Sequence, residues 1–379
     1  MATQQYTAQY SVGGSVWTSL SNLQSVTINI GNQEQLQQIK ASTAQLRFRY
    51  PTGYASPITQ LVPSTFVRIV NTTPSSGNYT IYCGRIANVS AEYGIPYSGG
   101  VGVSDYLDID LEGTFAEMGR LQANGYVMSA GTIANQLTAS TAYGALASWD
   151  STTTQNIAGT TIDGTWGDWV SQLALTTNAR LVDGSEPNMV NGVYTLRSPF
   201  ADKIATVNFS DTTNNATNQV YSDITFESLA DNYYTQVIVT PESYAEQVVP
   251  AGSTTGRSYQ VNTLNASEAD ALDFANYLLS NYNTQQLTIS SITCMGEAQN
   301  SFQLDKIAAN NFYNLVGYYI NVVFRGTTYP CVVEGVTMSA TPSSSRFTYY
   351  LSGGSLNNFL RLDNATYGTL DNNRLGFGY

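Results

Sequence analysis

The sequence predicts a mainly β protein with a smaller α/β part, and three observations carry that reading. Apolar residues alternate with polar ones at a period of two over many short runs, the pattern of half-buried strands. Gly- and Pro-rich breaks separate those runs. The polar share of the 379-residue chain is also largely uncharged: charged residues make up 11% of it, and Tyr alone numbers 27. An ordinary globular chain carries roughly a quarter charged residues. Thr, Ser, Asn, Gln and Tyr supply hydroxyl, amide and phenol groups that suit strand faces and subunit contacts.

Residues 1–115 read as consecutive strands. SVTINI (Ser25 to Ile30) alternates Val26, Ile28 and Ile30 with polar neighbours. AQLRFRY (Ala44 to Tyr50) sets Leu46, Phe48 and Tyr50 on one face and meets Pro51, which cannot donate to a ladder. TFVRIVN, YTIYCGRIANVSAEYG and DYLDIDLEG continue the pattern. Strands spaced this regularly predict a small antiparallel barrel or sandwich. Residues 116–200 change character. TFAEMGRLQ and GTIANQLTAS have helical spacing, Trp169, Leu173 and Leu175 share a helical face, and ARLV and YTLRSP are strand-like. This is a mixed α/β insert.

Residues 201–351 are β-rich again. VYSDITF and YYTQVIVTP alternate, and QLTISSITC, VGYYINVVFRG, TYPCVVEGVTMSA and SRFTYYLS read as four further strands. One helix is expected over 267–283, with Ser267 capping its start and Asp270 as the reciprocal acid. Leu272, Ala275, Leu279 and Tyr282 form its predicted apolar stripe. Residues 352–379 are Gly/Asn-rich yet carry Phe359, Leu360, Leu362, Tyr367, Leu370 and Leu375, so they are expected to pack on this chain or on a neighbour.

The charge balance is acidic, −12 with 15 Lys and Arg. Tight nucleic-acid binding needs clustered basic residues that neutralise phosphates. Arg47 and Arg49, alternating along one strand, are the nearest approach to such a cluster. Cys83, Cys294 and Cys331 are odd in number and far apart, matching neither a disulfide framework nor a zinc spacing. They are expected to be reduced thiols in a protein folded in a cytoplasm. The opening MATQQYTAQYS lacks the basic and apolar regions of a signal peptide. No apolar run approaches the ~18 residues of a membrane span. The sequons at Asn71, Asn208 and Asn364 follow from Asn/Thr richness.

The chain contains no histidine. That removes Ser-His-Asp and Cys-His nucleophilic systems and the usual zinc and iron sites. Carboxylate chemistry is what remains, above all glycoside hydrolysis by two carboxyls across a cleft. Glu112 with Glu117, or Asp163 with Asp168, are the candidate pairs. Turn chemistry at Asp163-Gly164 and helix capping at Asp168 account better for the second pair. Asp108, Asp110 and Glu112 mimic half of a calcium loop, but Gly119 stands where the bidentate Glu belongs. Alternation with Leu107, Ile109 and Leu111 makes this segment a strand with an acidic outer face. The Gly-rich YSGGVGVSD and SGGSL lack the lysine of a phosphate loop. Tyr318-Tyr319 and Tyr349-Tyr350 are expected in packing and interfaces more than in ligand stacking. No catalytic, cofactor-binding or metal residue is assigned, and the chain is not expected to be an enzyme.

The order of segments resembles the tail-tip hub family of tailed phages, the minor tail proteins of long-tailed siphophages. SVTINIG, AQLRFRYP and TFVRIVNTTP, leading to YCGRIANVSAEYG, resemble its opening strands. DYLDIDLEGTFAEMGR resembles the next strand running into a helix. DWVSQLALTTNARLV and EADALDFANYLLSNYN followed by QLTISSIT resemble its middle and late elements, and FLRLDNATYGTLDNNRLGFGY its terminal signature. The resemblance spans nearly the whole chain and rests on order, not on any single motif.

This resemblance implies two tail-tube-like antiparallel β-barrel domains, 1–115 and 201–351, with an α/β lateral domain, 116–200, inserted between them and a C-terminal extension, 352–379. It implies a homotrimer at the virion tail tip, made in the bacterial cytoplasm, touching the tail tube, distal tail protein, tape-measure protein and other tip or fibre proteins. DNA would pass its lumen without specific binding, helped by an acidic channel face. The rival readings are a distal-tail or receptor-binding module and, further off, a tail-associated glycoside hydrolase.

Overall fold

A computed structural model describes residues 5–33, 36–51, 61–72, 78–94, 104–144, 147–150, 155–184, 190–198, 208–212, 218–227, 233–252, 254–283, 288–295 and 315–353. The expectation for residues beyond Gly353, and that for Asn364 and most of YSGGVGVSD, falls outside them. The first part is all strand: β1 (Tyr6–Ser11), β2 (Thr18–Leu20), β3 (Leu23–Gly31), β4 (Thr43–Pro51), β5 (Phe66–Asn71), β6 (Tyr79–Glu92) and β7 (Ser104–Glu112). The middle part holds α1 (Phe115–Met118), β8 (Val127–Met128), β9 (Gly131–Thr132), α2 (Ile133–Ser140), β10 (Ala147–Asp150), β11 (Asn156–Ile157), β12 (Thr160–Thr161), α3 (Trp166–Thr176), β13 (Arg180–Val182) and β14 (Tyr194–Arg197). Then follow β15 (Asn208–Ser210), β16 (Asn218–Val220), β17 (Asp223–Glu227), β18 (Gln236–Pro241), β19 (Gln247–Val249), β20 (Ser258–Thr263), α4 (Glu268–Tyr282), β21 (Thr288–Met295), β22 (Tyr319–Phe324), β23 (Thr327–Thr341) and β24 (Ser344–Gly353).

The fold is mainly β, as the alternation predicts. Strands from both ends of the chain form one 14-stranded sheet, ordered β16-β15-β22-β23-β3-β4-β7-β6-β5-β1-β2, with β24, β21 and β17 leading off from β23. The sheet is antiparallel except at β15, which runs parallel to both β16 and β22; this corrects the expectation of purely antiparallel pairing. On β7, Leu107, Ile109 and Leu111 turn inward and Asp108, Asp110 and Glu112 outward, the period-two burial of a strand with one wet face. One contiguous core joins the two ends of the chain. Ile28, Phe48, Ile69 and Ile109 from the first part pack in the same cluster as Phe209, Val322, Val336 and Phe347 from the last.

β23 is where the two halves meet. Its first stretch, Thr327–Val332, pairs with β22, and its second, Gly335–Ala340, pairs with β3. A register shift between Val333 and Gly335 marks the exchange on the β24 side. The backbones approach closely there. A Cβ on Gly335 would lie 2.3 Å from Asn32 O, and one on Gly31, at φ +75°, would lie 2.4 Å from Glu334 O. Only glycine fits on both sides of this crossing.

The insert carries its own core of Trp166, Trp169, Leu173, Ile133, Leu137, Tyr194 and Leu196. Trp169 and Leu173 are buried there as predicted, whereas Leu175 is half-buried against a third cluster. TFAEMGRLQ gives a single helical turn, Phe115–Met118, shorter than its spacing predicts. Thr165, not Asp168, is the N-cap of α3; Asp168 completes the capping box by accepting from Thr165 N. The third cluster joins α4 to the three-stranded sheet β19-β18-β20. Ser267 caps α4 and accepts from Asp270 N, as predicted. Ala275 and Tyr282 are buried as predicted, but Ala271, Phe274, Tyr277 and Leu278 complete the buried face, Leu279 is half-buried, and Leu272 is 40% exposed. Among the described residues no helix is long and apolar enough to cross a membrane.

Candidate functional site: a buried ionic junction

The charged residues of this chain are few, so a charge inside the core stands out. Glu334 sits at the crossing of β23, and its side chain is 1% exposed. Arg180, which opens β13 in the insert, meets it as a fork: Nε donates to Oε2 at 2.5 Å and Nη2 to Oε1 at 2.8 Å. Ser352 on β24 also donates to Glu334 Oε1. Arg180 Nη1 donates to the carbonyl and side-chain oxygens of Asn178. Asn178 Nδ2 in turn donates to Tyr277 Oη on α4, at 3.0 Å. One network therefore ties β23, β24, the insert and α4 together. Burial works against the Arg180 charge, yet the carboxylate of Glu334 and its hydrogen bonds hold the guanidinium pKa above its usual value.

The other end of β13 is anchored by a second buried acid. Asp183 accepts from Thr114 N at 3.0 Å, Phe115 N at 3.1 Å and Gly184 N at 2.9 Å. Thr114 and Phe115 are where the chain leaves β7 for the insert, so Asp183 fixes that turn. Burial raises the Asp183 pKa, and the backbone N–H donors pull it back. Between these anchors Val182 faces the main core and Leu181 the insert's core. Four residues thus rivet the insert to the sheet through two polar anchors and two apolar contacts.

The residues singled out from the sequence lie elsewhere. Glu112 and Glu117 both bind Arg120, which is 55% exposed; Nη2 reaches Glu112 Oε2 at 2.8 Å and Nη1 reaches Glu117 Oε1 at 3.2 Å. The hydrogen bonds that Arg120 donates to Glu112, ahead of the other contributions, raise its pKa. Asp163 is exposed beside Gly164, whose φ is +109°. Asp108 pairs with Arg47 at 3.4 Å, and Asp110 accepts from Asn88 at 3.3 Å. Among the described residues no group of three or more Cys, Asp or Glu could hold a metal ion. Arg47 also pairs with Glu92 and lies 4.4 Å over the Tyr106 ring, and Arg49 donates to Ser104. Tyr318 carries Arg197 on its ring, and Tyr349 packs on Phe209. The three cysteines are free and buried, and burial pushes the Cys331 thiol up to about 12.

The junction escaped the sequence reading. Its available signal was a lone charge inside an apolar strand run, twice: Arg180 in ARLV and Glu334 in CVVEGV.

No protein-family profile matches the chain, and no curated protein matches it in sequence. Solved structures do. The tail protein from Neisseria meningitidis MC58 superposes with a TM-score of 0.62 at 11% identity, covering 93% of this chain and 98% of its own. The 43 kDa tail protein of prophage MuSo2 from Shewanella oneidensis gives 0.58 at 8% identity, covering 92% and 97%. A prophage tail protein from Listeria monocytogenes EGD-e gives 0.52 at 9% identity, covering 93% and 96%. Over nine-tenths of its length, this chain has the fold of these tail proteins.

Proposed function

We propose that the chain is a structural subunit of the hub at the tail tip of a tailed phage, without enzymatic activity. In this reading it joins the tail tube to the host-recognition tip as a homotrimer around the DNA channel. Its neighbours would be the tube, the distal tail protein and the tape-measure protein. The observation that carries the reading is the partner exchange along β23. One strand serves two adjoining sheet halves, and in each a contact joins strands that are not hydrogen-bonded neighbours. In the first, Tyr6 of β1 hydrogen-bonds Ser345 at the start of β24. In the second, Phe226 of β17 lies 5.3 Å from Phe324 of β22 and 5.8 Å from Tyr329 of β23, ring to ring. Two barrel-like halves per chain, taken three times, would match a six-fold tube to a three-fold tip. The domain division at 115, 200 and 351 belongs to the same proposal.

The test is the number of copies per particle, by quantitative mass spectrometry of purified virions against the major capsid protein. Three copies are expected. Six or more would move the chain to a distal ring or peripheral binding machinery, and absence from the particle would overturn the structural role.

A further inference from the structure

Two polar side chains lie fully buried where the insert meets the segment leading into α4. Thr263 ends β20 and Asn265 follows two residues later; both are 0% exposed. Among the described residues, Thr263 Oγ1 and both amide atoms of Asn265 have no hydrogen-bond partner. The backbone around them, by contrast, is bonded on both sides. Ala158 N donates to Leu264 O at 2.8 Å, and Leu264 N donates to Thr176 Oγ1 at 2.9 Å. In the opposite direction, Glu242 N donates to Thr263 O at 3.1 Å. These alternating directions describe an extended chain, in which Thr263 and Asn265 put their side chains on one face. Asn265 stands opposite Ile157 of β11 in an antiparallel bridge.

A buried amide that uses neither its donor nor its acceptor is costly, and native proteins answer such groups with ordered water or an ion. The donor set separates the two. A cation would suit Asn265 Oδ1 and Thr263 Oγ1 but repel the Nδ2 protons, and exchanging the amide's O and N leaves that conflict in place. Water both donates and accepts, and the three atoms here supply the partners that a buried water needs. Side chains two residues apart on a strand start about 6.6 Å from each other. Two hydrogen bonds of about 2.8 Å through one oxygen reach across most of that span. Gln136 on α2 does not serve instead. Its Nε2 already donates to Ser129 O, Ala158 O and Ile157 O, at 2.9, 3.1 and 3.4 Å.

We propose that this seam holds an ordered internal water bound by Asn265 and Thr263, so that the insert and the approach to α4 are joined through water as well as through backbone hydrogen bonds. The test is a crystal structure of the full chain at a resolution that shows waters, paired with magnetic relaxation dispersion of the water oxygen, which counts waters held for longer than the protein tumbles. Density for a water within about 3.2 Å of both side chains is expected. Asn265→Leu combined with Thr263→Val should remove it and lower the count of long-lived waters, with the circular dichroism spectrum unchanged. Should that double variant not fold, Thr263→Val alone keeps the comparison: loss of one hydrogen bond should shorten the water's residence about three- to tenfold. Absence of density, an Asn265 amide bonded directly to Gln136 or another protein group, a peak that refines as a cation, or an unchanged count in the folded double variant would each overturn the proposal.

Discussion

Two arginines of this chain hold carboxylates, and they show how far position outweighs chemistry. Arg120 bridges Glu112 and Glu117 at the surface, 55% exposed. Arg180 holds Glu334 with the arginine side chain 6% and the glutamate 1% exposed. The contacts are of similar length, but their surroundings differ. Water and salt screen the outer cluster, so it contributes below about 1 kcal/mol. The inner pair has no solvent to fall back on. Replacing the whole pair with apolar groups could be neutral, whereas removing one partner strands the other charge. Ser352 on β24, and Tyr277 on α4 reached through Asn178, extend the network to two further elements.

The comparison breaks most sharply at Glu334. Glu334→Ala should destabilise the protein by about 3–5 kcal/mol, measured by urea unfolding, and Arg180→Ala should match it. The double change to Met at 180 and Leu at 334 should recover most of the loss. A loss below about 1 kcal/mol in both single variants would mean that the pair is not buried as described. Asp183→Ala comes next. It leaves the N–H groups of Thr114, Phe115 and Gly184 without their acceptor, at a cost of about 1–3 kcal/mol. Because this anchor fixes the exit from β7, amide exchange should quicken first at residues 113–118.

Alkaline titration sharpens the same contrast. Burial pushes Tyr277, the far end of the network, up to about 12 from an ordinary value of 10. A folded pKa above the unfolded one leaves stability intact below pH 10 and removes it as pH rises toward 12. Part of the phenolate absorbance should therefore appear only together with loss of the fold. Smooth ionisation of every tyrosine near pH 10 with the fold intact would contradict the burial. The smallest effect belongs to Arg120→Ala, below about 1 kcal/mol and reduced further by salt; a loss comparable to that of Arg180→Ala would erase the distinction.

The parts readable from the sequence are those set by local pattern. β3, β4, β7 and β24 follow from period-two alternation, since each keeps one face in a single core, whereas β23 is buried on both faces from Cys331 to Val336. The start of α4 follows from Ser267 and Asp270, three residues apart. Ala275 and Tyr282 of its face follow from helical spacing, but Leu272 and Leu279 do not, because leucines weigh more than alanines in a pattern. Packing on β18 and β19 instead favours Ala271 and Ala275, which let the helix come close, and leaves Leu272 in water. The exchange of partners along β23 was invisible, because an alternating strand does not reveal which neighbours it will have. The junction was hidden for a related reason: Arg180 and Glu334 are 154 residues apart, and no local rule joins them. The resemblance to tail-tip proteins rests on the order of segments, and the fold shared with the Neisseria and Shewanella tail proteins agrees with that order.

The most direct test of the hub reading is a cryo-electron microscopy reconstruction of the tail tip of particles carrying this chain, without imposed symmetry. The account predicts three copies in a ring at the end of the tail tube, each presenting both β23-linked halves to the channel wall. Density for the chain in a six-fold ring, on peripheral fibres, or nowhere in the tail would contradict it.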